Sequence, residues 1–453
     1  MPFIPHTDSE IAAMLESIGI QRLESLFDEV PTSLRYKAKP ERSGSLTEMH
    51  LARLLRARAE QDKPLVNFMG AGAYEHHIPA PVWEIAGRGE FLTAYTPYQA
   101  EASQGMLQVL YEFQTMICQL TAMEVANASL YDGASALAEA VLMAIRANRL
   151  SNSKVILMPM TVAPNYRRVV KTLVEAQGIE LIELPYCTVD GQIIVTSLDR
   201  FAIGSFAALV IPQPNFFGSL EEVDLLTNWA HSRGGLVIGL VNPIALGVLS
   251  PPGHWGKKGA DIVCGEGQPL GVPLSSGGPY FGFMSCRNEH VRQMPGRLVG
   301  RTVDREQNPG FVLTLQAREQ HIRRSRATSN ICTNQGLMTV AATIYLSILG
   351  PTGLARVAGA CHANMRNLVE LATSVPGIEL IFQGAFFHEA VLRFPEDPQK
   401  LLPKLAQMGI LAGYPLGADY PELGDAVLVC ATETKTEDDI QEYIDCLVDI
   451  LGH

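Results

Sequence analysis

Between residues 65 and 328 short apolar runs alternate with longer amphipathic stretches, the pattern of repeated strand–helix–strand units on a mostly parallel sheet. The clearest predicted strands are Val155–Met158, Leu181–Leu184, Ala207–Ile211, Leu236–Val241 and Ile262–Cys264, with helices starting near Ala134, Pro164 and Glu221. Upstream, Asp8-Ser-Glu opens a segment with Ile11, Met14, Leu15 and Ile18 at helical spacing, and Gly19 interrupts it. An arm of this kind usually packs on another domain or subunit. Beyond Asn330 two helical stretches meet at Gly350-Pro351, strands follow at Ile378–Phe382, Ala390–Phe394 and Ala426–Val429, and a last helix runs from about Lys435 to Leu451. The expected organisation is a helical arm over 1–61, a large α/β domain over 62–330 and a smaller C-terminal α/β domain over 331–453.

Composition narrows the function classes. A chain of 453 residues, 47% hydrophobic and 18% charged, can bury more than one core. A formal net charge of -12 disfavours nucleic acid and anionic membranes as main partners. The first residues show neither a basic nor an apolar leader, and no stretch approaches the roughly 20 uninterrupted apolar residues of a membrane span, so a cytoplasmic location is expected. The eight cysteines are scattered without a CxxC pair, which implies reduced thiols. His76 and His77 point to opposite faces of an extended segment and no carboxylate or cysteine follows at ligand spacing, so no metal site is expected.

Four blocks carry candidate chemistry. Asp261-Ile-Val-Cys-Gly-Glu-Gly-Gln268 ends a strand in a glycine-rich turn through Gly278, where a pyridoxal-phosphate enzyme would carry its covalent lysine, and contains no lysine. Tyr131-Asp132-Gly133-Ala134-Ser135 opens an alanine-rich helix whose free amides and small residues let a phosphate approach, although Asp132 also reads as a plain helix cap. The segment Glu90–Gly105 is dense in phenols, amides and carboxylates: Tyr95, Thr96, Tyr98, Gln99, Glu101, Ser103 and Gln104 suit either a polar ligand pocket or an interface. The basic run Gln316–Asn330 is expected on a helix with a solvated charged face. Gly70-Ala-Gly72 lacks the third glycine of a dinucleotide site.

Taken together the blocks Gly70-Ala-Gly-Ala-Tyr74-Glu-His76, Glu90–Gln99, Glu112-Phe-Gln-Thr115, Asn127–Gly133, Gly265–Gly271, Gly277-Gly-Pro-Tyr280 and Thr328–Thr333 resemble the alpha, or N-terminal, subunit of two-chain bacterial glycine dehydrogenase (decarboxylating), the P-protein of the glycine cleavage system. The resemblance implies the type I pyridoxal-phosphate-dependent transferase fold, with the cofactor held covalently by a lysine of a beta subunit. It places Gln268 at the lost lysine position and Asn242 where a carboxylate would keep the pyridine nitrogen protonated. Gly133, Ala134 and Ser135 complete the degenerate cofactor site. The implied partners are the beta subunit in an α2β2 assembly, glycine and the lipoylated H-protein, and the implied activity is glycine decarboxylation with transfer of the aminomethyl group. Two other readings stand beside it: a self-sufficient enzyme using Lys257 or Lys258, and a structural or regulatory paralogue. The run departs from the family at Ser325-Arg326, where an acid followed by a lysine is expected.

Overall fold

The computed structural model describes residues 5–36, 45–62 and 65–452, and the chain divides into two compact units, Met1–Lys63 and Pro64–His453. In the first, α1 (Asp8–Ile18) starts at Thr7, whose hydroxyl and the Glu10 carboxylate cap one another's backbone amides, and ends at Gly19 in the left-handed conformation. At α2 (Glu48–Ala59) the Thr47 side chain accepts from His50 N, and neither helix has a buried residue. The remainder of the predicted arm, residues 1–4 and 37–44, lies outside the described residues.

The second unit begins with β1 (Val66–Asn67) and α3 (Pro81–Ala86), followed by α4 (Gln104–Thr121), β2 (Val125–Ala126), α5 (Gly133–Ala147), β3 (Val155–Pro159), α6 (Pro164–Val174), β4 (Glu180–Leu184), β5 (Ala208–Gln213), α7 (Val223–Ser232), β6 (Leu236–Val241), β7 (Ile262–Glu266) and β8 (Gly282–Cys286). The sheet order is β2-β8-β7-β6-β5-β3-β4, parallel except where β8 meets β7 and β2. The central strands β5, β6 and β7 are buried on both faces, which is why they read as unbroken apolar runs rather than alternating ones; the edge strand β4 exposes Glu180 and Glu183. Leu209, Ile211, Val237, Val241 and Val263 enter one core with Trp255 and Phe281, while Val210, Ile238, Leu240, Ile262 and Cys264 enter the other against α5 and α6. The strands predicted from sequence all form, shifted by a residue or two at their ends.

The chain then makes the hairpin β9 (Leu298–Val303) and β10 (Pro309–Thr314). The helix expected over Gln316–Asn330 does not form as one piece. Two 3₁₀ turns flank the single turn α8 (Gln320–Arg323): Glu319, extended at φ -78° and ψ 156°, ends the first, and Arg324, at a positive φ of 53°, ends α8. Next, α9 (Gly336–Ser374) joins the two predicted helices across Gly350, whose φ of 58° makes the kink before Pro351. By length and apolar composition this helix could cross a membrane; here Val340, Ala341, Tyr345 and Cys361 pack in the first core and Met365 and Leu368 in the small-sheet core.

The C-terminal part adds β11 (Glu379–Leu380), β12 (Glu389–Arg393), α10 (Pro398–Gln407), β13 (Ile410–Leu411), β14 (Tyr414–Pro415), β15 (Ala426–Cys430) and α11 (Glu437–Leu451). An antiparallel sheet β11-β12-β15-β14 lies against α9, α10 and α11, and β1 pairs with β13. Its other face carries Val391 and Leu428 against Tyr186, Phe216 and Phe217 from the large-sheet part, so the two parts share a core.

Gly218 lies at a close approach between them. It has φ of 82°, and a Cβ there would lie 2.0 Å from the Glu389 carbonyl oxygen. Gly218→Ala is therefore expected to cost about 3 kcal/mol, from backbone strain and overpacking together, read as a lowered urea midpoint. An unchanged midpoint would show that this contact relaxes freely.

Candidate functional site

The carboxyl ends of β6 and β7, with the start of α5, form the edge where α/β sheets bind ligands. Beyond β7, Gly267 donates its N–H to Phe281 O at 2.7 Å, and a Cβ at 267 would sit 2.1 Å from the Phe281 ring. This contact turns the chain inward, so that Gln268 is only 1% exposed. Its amide is saturated. Gln268 Oε1 accepts from Tyr74 N, and Nε2 donates to Tyr74 O and Val272 O, all at 2.8 Å.

Asn242 follows β6. Its Oδ1 accepts from Ile244 N at 2.9 Å, and its Nδ2 lies 3.2 Å from His388 Nε2. Burial pushes the His388 imidazole down to about 3, helped by neighbouring His76, so a neutral ring faces Asn242 at ordinary pH. Neither partner supplies a negative charge.

At α5 the Asp132 carboxylate accepts from Ser135 N at 2.7 Å while Ser135 Oγ accepts from Asp132 N at 3.1 Å, a reciprocal cap. Gly133 N donates to Glu266 Oε2 at 2.9 Å, and Gln268 N donates to Glu266 Oε1 at 3.0 Å. The helix end read as a phosphate candidate thus carries a carboxyl group of the chain itself. Burial raises this carboxyl to about 8 against the two peptide donors, which favour its charged form.

The cavity left at this edge measures about 80 Å³ and is lined by Tyr74, Tyr166, Asn242, Glu266 and Pro269 among others. Small-molecule sites typically occupy roughly 300–1,000 Å³. With an amide for the amine, an amide for the ring-nitrogen carboxylate and Glu266 on the helix end, these residues do not fit pyridoxal phosphate. Lys258 lines a separate cleft with Gly235, Leu236 and Asp261 at the opposite, amino-terminal edge of the sheet, and Lys257 adjoins it in sequence.

The aromatic block does not line this cavity. Tyr98 donates from its hydroxyl to Asn334 Oδ1 at 2.6 Å and carries the Arg297 guanidinium 4.0 Å from its ring centre. Gln104 donates to Ala100 O and Phe311 O and accepts from Phe311 N, each at 2.8 Å, fastening the start of α4 to β10. The Gln99 carbonyl accepts from Ala102 and Ser103 amides and the Ser103 carbonyl from Leu107 N, so these positions shape the helix entry. Thr96 and Glu101 are exposed, and Tyr95 is 86% exposed.

Sequence reasoning missed Tyr74, Glu266, Glu389 and Glu433. Glu389 on β12 accepts from Ala71 N and Tyr74 Oη, both at 2.7 Å, and burial raises its carboxyl to about 7. Glu433 accepts from His77 N and pairs with His76 Nδ1, both at 2.8 Å; although burial opposes it, these contacts bring its carboxyl down to about 2. His76, Cys361 and Glu433 offer ligand atoms within 4.8 Å of one another, a grouping invisible to spacing because the chain brings them from three distant elements. Cys361 Sγ donates to Glu433 at 3.1 Å, so this carboxylate is already committed to both neighbours.

This sheet order, with the long α9 and the small antiparallel sheet, is the type I fold of pyridoxal-phosphate-dependent enzymes; a Lactobacillus brevis glutamate decarboxylase shares it at TM-score 0.68 and 13% identity over 94% of this chain and 97% of that one. The family described as glycine cleavage system P-protein matches residues 1–447, and the chain belongs to it. A probable glycine dehydrogenase (decarboxylating) subunit 1 from Thioalkalivibrio sulfidiphilus is 61% identical over 447 residues, 99% of each chain. One of the same description from Nitrosospira multiformis is 59% identical over 451 residues, 100% of this chain and 99% of that one. The crystal structure of a glycine decarboxylase (P-protein) in inhibitor-bound form matches at TM-score 0.87 and 41% identity, covering 99% of this chain and 100% of that one.

Glu389 gives this site a pH signature. Its folded value lies above its unfolded value near 4.5, so the folded state holds a proton that the unfolded chain has lost, and stability falls as pH rises from about 4.5 through 7. Glu389→Gln removes this contribution. Relative to the Gln variant, the native chain should lose up to about 3 kcal/mol between pH 5 and 8, measured by urea unfolding. Parallel stability curves for the two proteins would refute it.

Proposed function

We propose that this chain is the subunit of a two-chain glycine decarboxylase that does not carry the cofactor. The observation behind this reading is Gln268: the turn after β7, where the fold would present a covalent lysine, holds an amide engaged in three hydrogen bonds. The designation "subunit 1" shared by its relatives supports a second subunit. In this reading a homologous beta subunit binds pyridoxal phosphate through its own lysine, in an α2β2 assembly within the cytoplasm. That cofactor supplies the electron sink that lets glycine lose carbon dioxide. The remaining aminomethyl group passes to the lipoyl arm of the H-protein.

This chain contributes binding surface and shape. Tyr95 and Leu92 are both exposed on the segment before α4, whereas the Tyr98 hydroxyl is committed to Asn334. Tyr95 therefore has a phenol to offer a substrate or partner, and Tyr98 acts as a buttress.

Borohydride reduction of the complex copurified with its second subunit, followed by peptide mapping, tests the assignment. One pyridoxyl-lysine is expected, on the partner; finding it at Lys257, Lys258 or any other lysine of this chain overturns the reading. Tyr95→Phe should lower glycine turnover about tenfold, on the order of 1.4 kcal/mol of transition-state stabilisation, with assembly intact by light scattering. Unchanged turnover would remove the Tyr95 hydroxyl from the chemistry.

A further inference from the structure

Two peptide N–H groups from different elements converge on one carboxyl. One belongs to Gly133, the first residue of a helix of 15 residues; the other belongs to Gln268, in the turn beyond β7. Converging amides at a helix start are the donor set that phosphate oxygens use. The surroundings are tailored to close approach. A Cβ on Gly133 would lie 2.3 Å from Tyr166 Oη and 2.8 Å from Glu266 N, and Ala134 beside it is buried. Both Tyr166 and Glu266 line the cavity of about 80 Å³.

We propose that Glu266 is the built-in occupant of this pocket's phosphate end, and that removing its carboxyl uncovers a site for inorganic phosphate and phosphate monoesters. The proposal rests on the reading that the chain carries no cofactor of its own, and goes further: a lost lysine removes the covalent bond, but Glu266 closes the pocket to the phosphate group as well. Truncation at Cβ frees both N–H groups and removes a moiety close in size to phosphate. The Asp132 carboxylate remains nearby, tied to Ser135 N, and sets a preference for the less charged form of the anion.

The test uses the chain assembled with its partner subunit and inorganic phosphate as the probe. Glu266→Ala and Glu266→Ser are each expected to gain one phosphate per chain by isothermal titration, at least tenfold tighter than any uptake by the native complex. Phosphate, unlike chloride at equal ionic strength, should raise their melting midpoints, a readout that also serves if either variant is destabilised. Glu266→Gln keeps the volume of the side chain and should stay closed. Saturable uptake at this helix end in the native complex overturns the proposal, as does absence of both uptake and phosphate-specific stabilisation in the Ala and Ser variants. Either result leaves the subunit assignment standing, because that assignment is decided by where the pyridoxyl-lysine maps.

Discussion

The Gln268 amide is the interaction on which this edge of the sheet depends. The buried turn presents two acceptors, Tyr74 O and Val272 O, and one donor, Tyr74 N, and a carboxamide matches all three. An ammonium group has nothing to accept with. It would strand Tyr74 N at a cost of about 1–3 kcal/mol. Where a catalytic amine would reach out of the turn, this side chain reaches back into it and fastens the Gly70–Tyr74 segment to the sheet.

The strands were legible in the sequence for one physical reason. A parallel strand covered on both faces is apolar at nearly every position, so Leu236–Val241 could be read directly. Gln268 stands out because it follows such a strand in a turn without a lysine, whereas Asn242 is singled out only through the family resemblance. Glu266 lies in the same motif as Gln268, but its significance is a bond to Gly133, a residue 133 positions earlier, which no local pattern marks. Glu389 is farther still, bonded to Ala71 across 318 positions. The basic segment differs for another reason: its composition favours helix, and the extended Glu319 and the positive φ of Arg324 that interrupt it carry no local marker.

Five largely buried acids in this unit fall into two electrostatic classes. Asp261 is held well below the usual carboxylate range: burial opposes ionisation, but His231 and the Val237 amide outweigh it. Glu433 behaves alike beside His76. Glu221, Glu266 and Glu389 have mostly peptide or neutral donors, and burial lifts them to about 7, 8 and 7. Glu266 and Glu389 join segments far apart in the chain, and Glu221 links the nearer Asn215 and Ile193.

The segment from Gly70 to His77 is held at one end by Gln268 from the large sheet and by Glu389 from the small one, and at the other by Glu433, Thr432 and Lys435. It works as a strut between the two sheets. Swinging one sheet against the other would rupture several of these shielded bonds, at about 1 kcal/mol each, with Tyr186, Phe216 and Phe217 also leaving their shared core. A molecule braced in this way is suited to be the stationary wall of an assembly, with the displacements of a working cycle left to whatever closes against it.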